Sequence, residues 1–219
     1  RRTISIIDGT QKIINVTAPL QWPSRHIGND VTALVTGNIS LSSQVGLLSR
    51  NIKIEGDSGF WESSIGARII ITGTTNDGLS VKLSNVELSN CGQSSTSKGY
   101  CMHFNMNGDM QDNFVRRMSI HDAASRLLVL TGTNYLTVDN IVGYNHMGHG
   151  IALQNGAETN NIIQNNLILG TYPSYTNDET DTEPASIWLT HPVNTITNKV
   201  AAGSEFDGIS YDLKLRSDG

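Results

Sequence analysis

Five residues combine useful chemistry with regular spacing: His103, His121, Arg126, Tyr144 and His149. Arg126 and His149 are 23 residues apart, as are His121 and Tyr144, and Asp122 and Asn145. If 23 residues complete one turn of a coil, each pair is stacked one strand spacing apart, ~4.8 Å. His103 then joins the same edge from the preceding turn. Such an edge could grip an anionic or hydroxylated sugar, with Arg126 pairing a carboxylate and Tyr144 offering a stacking face. The candidate ligand-binding set is therefore His103, Arg126, Tyr144 and His149. The candidate catalytic set is His121, Arg126 and His149, because a lyase needs only a base, with an arginine to neutralise a uronate.

Hydrolysis is less well served. It usually requires two carboxyls flanking the glycosidic bond. Asp109 and Asp122 have no partner that the repeat brings near, and the row Thr131, Gln154, Thr190 is uncharged until Asp212. A structural role competes for each histidine, since His, Asn and Arg at the corners of a stacked coil satisfy backbone groups of adjacent turns. No metal or cofactor is expected. His146 and His149 are three apart on a turn, and neither His-x-His nor His-x-x-x-His occurs. Asp178, Glu179, Asp181 and Glu183 offer oxygen ligands of the kind Ca²⁺ takes, but without EF-hand spacing they read as a solvated loop. Trp22 and Trp61 are candidate sugar platforms, whereas Trp188 falls in a core row and reads as packing.

The elements that would hold these residues are visible as a repeat. A five-residue pattern (apolar, polar, Asn or Arg, any residue, then a mostly apolar or small one) occurs as Leu83-Ser84-Asn85-Val86-Glu87, Val115-Arg116-Arg117-Met118-Ser119, Val138-Asp139-Asn140-Ile141-Val142, Ile163-Gln164-Asn165-Asn166-Leu167 and Ile196-Thr197-Asn198-Lys199-Val200. Its third positions advance by 32, 23, 25 and 33 residues. A second row keeps the beat through Val129, Ala152, Trp188 and Ser210. Two strand-like rows advancing together, with Asn and Gly at the corners, indicate an all-β solenoid, a right-handed parallel β-helix. A β-sandwich is the competing fold, because its strands also recur at short intervals. Asn at the repeated corners tolerates a left-handed backbone and could pair its amide with the Asn one turn away.

Composition narrows the partners. A net charge of −5 and a pI of about 5.6 leave no basic stripe for nucleic acid. No run of about 18 apolar residues suggests a membrane span.

Residues 1–40 lack the later period and read as a β-strand-rich lead-in, the end of a preceding β module. Strands are expected at 3–7, 12–16, 31–35, 44–48, 51–54 and 67–72, with turns at Asp8-Gly9, Trp22-Pro23, Gly37-Asn38 and Gly56-Asp57. Residues 41–219 read as the β-helix, interrupted by an acidic insertion at 171–184 that projects from one corner. The chain reads as part of something longer.

Cys91 and Cys101 bracket a Ser- and Gly-rich stretch, for which a disulfide is the preferred reading over two free thiols. Asn15-Val16-Thr17 and Asn38-Ile39-Ser40 are glycosylation acceptors if the chain is secreted in a eukaryote, placing candidate glycans on Asn15 and Asn38.

The stretch Thr137-Val138-Asp139-Asn140-Ile141-Val142-Gly143-Tyr144-Asn145, followed by Gly148-His149, resembles the β-helix region shared by fibrocystin, fibrocystin-L and the cell-surface hyaluronidases. So do Val45-Gly46-Leu47-Leu48-Ser49-Arg50-Asn51-Ile52, His103-Phe104-Asn105 with Gly108-Asp109, Ser119-Ile120-His121 with Arg126, and Val200-Ala201-Ala202-Gly203-Ser204. The resemblance covers roughly residues 31–212 and implies a large extracellular or membrane-anchored protein with a glycine-eight domain ahead of this region. Where the hyaluronidase-like members carry an acidic pair before a glycine, this chain has Gln154-Asn155-Gly156; where they tend to carry His after the strand following Arg126, it has Thr131.

The expected function is a non-catalytic extracellular scaffold or adhesion segment of a cell-surface coat, filament or ciliary appendage. The alternatives are an enzyme cleaving a hyaluronan-like polysaccharide and a carbohydrate-binding module without turnover. Expected partners are neighbouring domains of a larger chain, copies of itself in a filament, and glycans.

Overall fold

The computed structural model describes residues 2–19, 29–33, 37–41, 43–175 and 179–214, with backbone alone at 29–33 and 37–41. The chain forms two compact units, residues 1–45 and 46–219. In the first, Ile4–Asp8 pairs antiparallel with Ile13–Val16, and Asn29–Ala33 with Gly37–Leu41. Asp8 turns the first hairpin by accepting the backbone N–H groups of Thr10 and Gln11 at 2.9 and 3.0 Å. The Gly37-Asn38 pair begins a strand instead of forming the expected turn. Asn15 is exposed on its strand, while the side chain of Asn38 and all of Trp22 lie outside the described residues.

The second unit is a parallel β-helix of three sheets. The first sheet stacks Lys82–Ser84, Phe114–Arg116, Thr137–Asp139, Ile162–Gln164 and Thr195–Thr197. The second stacks Ile52–Glu55, Val86–Cys91, Ser119–Ala123, Val142–Met147, Leu167–Tyr172 and Val200–Ser204. The third stacks Ile69–Thr72, Met102–Asp109, Leu128–Asn134, Ile151–Leu153, Ala185–Leu189 and Asp207–Tyr211.

The register keeps the beat of the sequence. Leu83, Val115, Val138, Ile163 and Ile196 pair in succession along the first sheet. Val129, Ala152, Trp188 and Ser210 do so along the third. Each strand turns alternate side chains inward, so Leu88, Ile120 and Ile168 of the second sheet meet Met102, Leu128, Ile151 and Ile187 of the third in one interior column set. Burying such a side chain stabilises the fold by roughly 1.5–3 kcal/mol, and no single turn contains enough of them to hold itself together.

The five-residue pattern is a corner and not a strand. Its first two residues end a strand of the first sheet, its third bends the chain, and its fifth enters the second sheet. Asn85, Arg117, Asn140, Asn165 and Asn198 all adopt left-handed conformations, with φ of 59, 53, 57, 56 and 47°. A second bend follows the same steps at Asn90, Asp122, Asn145, Gly170 and Gly203. Asn and Gly recur there because other L residues pay a steric cost in that region.

The expected amide pairing between left-handed asparagines is corrected. Buried asparagines at other corner positions make the cross-turn bonds. Asn166 accepts the Ile141 N–H at 2.8 Å and donates to the Val138 carbonyl at 3.2 Å. Asn161 accepts the Leu136 N–H at 3.0 Å and donates to Oδ1 of Asn194, one turn on, at 3.1 Å. Residues 44–48 are also not a strand. Residues 46–50 run over the outer face of the second sheet, where Ser119 donates its hydroxyl to the Leu48 carbonyl and the Arg50 N–H donates to Glu87. Gly46 fits only because it lacks a side chain, since a Cβ there would lie 2.6 Å from Val142.

Two kinds of corner residue should differ on urea denaturation. Asn140 is exposed and contributes mainly its backbone conformation, so Asn140→Gly is expected to be near neutral and Asn140→Val to cost about 1–2 kcal/mol. Asn166→Ala leaves an N–H and a carbonyl buried without partners and is expected to cost more, about 2–4 kcal/mol.

Candidate functional site

The β-helix separates the five candidate residues into three places. His121 and Tyr144 are register partners on the outer face of the second sheet. Arg126 and His149 sit at the corner leading into the third sheet. His103 lies on the outer face of that third sheet, opposite Val129. The single edge expected from the spacing is formed only in part: Tyr100 joins His103 to the Arg126 corner, while a bend of the coil carries His121 and Tyr144 to another face.

The Arg126 corner is the most highly organised. Arg126 is 0% exposed. Its Nε donates to Asp181 Oδ1 at 2.8 Å and one terminal nitrogen to the Thr180 hydroxyl at 2.8 Å. Tyr100 and Trp188 flank the guanidinium, their ring centres 5.2 and 5.3 Å from its central carbon. His149 stacks on Trp188, ring centres 4.4 Å apart and nearly parallel. The Ala185 N–H donates to His149 Nδ1 at 2.9 Å, so in the neutral ring the proton sits on Nε2, 3.9 Å from Asp181 Oδ1. The backbone N–H of His149 also donates to Asp181, at 3.2 Å.

Asp181 comes from the acidic insertion, which corrects the expectation of a solvated, projecting loop. Among the described residues of 171–184, Glu179–Thr182 forms a 3₁₀ turn that carries Asp181 inward to full burial. Glu179 and Glu183 stay exposed, and Asp178 lies outside the described residues. Gly148 makes the approach possible. It has φ +72°, and a Cβ there would stand 2.6 Å from the Asp181 carboxylate. Trp188 packs as expected, though from the outward row of the third sheet, with Ala152 and Val129, in a small buried cluster with Tyr100 beside the main core.

The other two places are similarly knitted together. His121 bonds to Asp122 through Nδ1 at 2.8 Å and to Glu87 through Nε2 at 3.3 Å, and Asn145 donates to Asp122 at 2.8 Å. Asp122 is thus held by the imidazole beside it and by an amide of the next turn. His103 meets the Thr131 hydroxyl at 3.0 Å and the edge of Tyr100. Tyr100 donates its hydroxyl to Gln154 at 3.2 Å, so the uncharged row Thr131–Gln154 serves as the seat of these side chains.

Burial holds the imidazole of His103 down to about 4, with the charges of Lys98 and Arg68 adding to the effect. Burial pushes His146 lower, to about 3. Its Nε2 meets Thr171, which bonds onward to Ser186 at 2.7 Å. Glu158, which the spacing gave no reason to select, is wholly buried. Burial raises its pKa, opposed by backbone N–H groups that include Gly132 at 2.8 Å. Cys91 and Cys101 are joined in a disulfide. No group of three or more His, Cys, Asp or Glu side chains is placed to hold a metal ion among the described residues.

Residues 64–219 match the CEMIP beta-helix family. The chain belongs to that family. It is 31% identical to a "Cell surface hyaluronidase" of Danio rerio over 89% of this chain and 16% of that protein. It is 26% identical to "Fibrocystin-L" of Mus musculus over 100% of this chain and 6% of that protein. It is 29% identical to "Communication mutant protein F" of Dictyostelium discoideum over 75% of this chain and 13% of that protein. The chain therefore spans only a small part of these relatives, and the family link is to a β-helical region and not to a whole protein. No described helix is long and apolar enough to cross a membrane.

Two measurements test the electrostatics. Asp181→Asn leaves the Arg126 charge buried and is expected to cost about 3–5 kcal/mol in urea denaturation, whereas Arg126→Met with Asp181→Leu is expected to cost less than Asp181→Asn alone. Gly148→Ala should also destabilise, through both φ and the crowded carboxylate.

The unfolded chain takes up a proton on His146 near pH 6.5, and the folded chain only near the depressed value of about 3. His146 therefore contributes a loss of stability as pH falls through that window, with a slope of at most ~1.4 kcal/mol per pH unit. His146→Gln should flatten the profile between pH 6.5 and 4 relative to the unsubstituted protein.

Proposed function

We propose that the chain is a rigid, non-catalytic β-helical scaffold or adhesion segment of a fibrocystin-like extracellular or cell-surface protein. The observation that carries this reading is the buried Arg126–Asp181 ion pair. Arg126 is the residue a uronate would need, and its charge is already met by a carboxylate with no exposed surface. A ligand's carboxylate would have to displace Asp181 from the buried guanidinium, at a cost of several kcal/mol.

The candidate bases support the same conclusion. His121 and His149 are buried and held by their hydrogen bonds. The names of the relatives favour an extracellular or cell-surface setting, and the disulfide fits an oxidising compartment. End-to-end use in a coat, filament or ciliary appendage suits a fold that adds one turn at a time.

The rival reading is cleavage of a hyaluronan-like polysaccharide, prompted by the Danio rerio relative. Incubation with high-molecular-mass hyaluronan, followed by size-exclusion chromatography of the products, separates the two. An unchanged size distribution is expected. Shortened chains that are absent from a heat-denatured control would overturn the scaffold reading.

A further inference from the structure

On another side of the β-helix, a short α-helix, Phe60–Ser63, leans over the end of the second sheet. Phe60 is buried and anchors it. Trp61 packs edge-on against the Phe60 ring at 4.9 Å yet is 66% exposed. That helix and the end of the strand Leu167–Tyr172 enclose an open pocket of about 480 Å³, within the size range of small-ligand sites.

The lining combines aromatic and small side chains: Trp61 and Tyr172, with Pro173, Ala123 and Ala124. Polar groups are few and of mixed kind. Asn145 donates its amide N–H to Asp122 and so has its carbonyl oxygen to offer, Ser64 supplies a hydroxyl, and Glu205 an exposed carboxylate. His146 borders the pocket at 1% exposure.

Charge selects among ligands. Among the described residues that line the pocket, Glu205 alone carries a formal charge at neutral pH, because burial keeps the His146 imidazole neutral. A uronate, sulfate or phosphate would meet a carboxylate with no cation to offset it. A simple quaternary ammonium would enjoy the aromatic faces but has no use for the acceptors and the hydroxyl. A pyranose has both features, an apolar C–H face for the rings and O–H groups for Glu205, Asn145 and Ser64.

We propose that this pocket binds one neutral sugar residue of a glycan, with Trp61 as the stacking platform and Glu205 and Asn145 as acceptors of its hydroxyls. The site is distinct from the Arg126 corner and does not depend on the scaffold reading, since it requires recognition without turnover. It gives a rigid coil a means of holding a carbohydrate-bearing surface.

The test is saturation-transfer NMR with tryptophan fluorescence, using the methyl glycosides of glucose, galactose, mannose and N-acetylglucosamine, with choline and glucuronic acid alongside. At least one neutral glycoside is expected to bind with a Kd of about 1–10 mM. Trp61→Ala is expected to weaken it about tenfold or more while leaving the melting temperature nearly unchanged. Glu205→Gln, at an exposed position, is expected to weaken it several-fold. The proposal fails if no neutral glycoside binds, if Trp61→Ala leaves binding intact, or if choline or glucuronic acid binds in preference.

Discussion

Each turn of this coil rests on the next at the spacing of paired β-strands, and nearly every other feature answers to that stacking. Side chains one turn apart are brought into contact whether or not their chemistry suits them. Inward positions become columns of Val, Ile and Leu. Polar groups that are buried at the corners must find partners above or below, because water cannot reach them. Asn161 and Asn166 are retained for this reason, each satisfying both an N–H and a carbonyl of the preceding turn.

The same constraint explains why residues with catalytic chemistry are poorly placed for catalysis. A charged side chain buried at a corner of a stacked coil is desolvated, and desolvation demands an opposite charge close by. Arg126 obtains one from an insertion some 55 residues further along the chain, which folds back onto it through the space that Gly148 leaves. His121 lies between Glu87 of the turn before and Asp122 beside it. These arrangements spend the hydrogen-bonding capacity of the side chains on the fold, and the pocket beside Trp61 is left as the place where aromatic and polar groups face solvent together.

Membership of the CEMIP beta-helix family accounts for the coil but not for a role. Relatives that share the coil carry names as different as a hyaluronidase and fibrocystin-L. A stacked coil is indifferent to what its outer side chains do, provided that the inner columns and the corners persist.

The sequence by itself determined the coil. Its period, the left-handed corners at Asn85, Arg117, Asn140, Asn165 and Asn198, and the pairing of His121 with Tyr144 were all legible, because stacking converts sequence separation directly into spatial adjacency. Tertiary structure alone decided what lay outside that period. That the coil has three sheets and not two was concealed because the five-residue pattern straddles a bend, so that what read as one row supplies both the first and the second sheet. Residues 44–48 looked like a strand from their apolar run, yet residues 46–50 cover the outer face of one. Asp181 looked solvated because its neighbours are acidic, and only the folded loop shows it inside against Arg126. Trp61 gave a hint by its type alone, but its pocket joins the Phe60–Ser63 helix to strand ends of successive turns, and no repeat relates Trp61 to them. A periodic chain announces its repeated contacts; contacts made once, by insertions and straps, depend on loop conformations that leave no period to read.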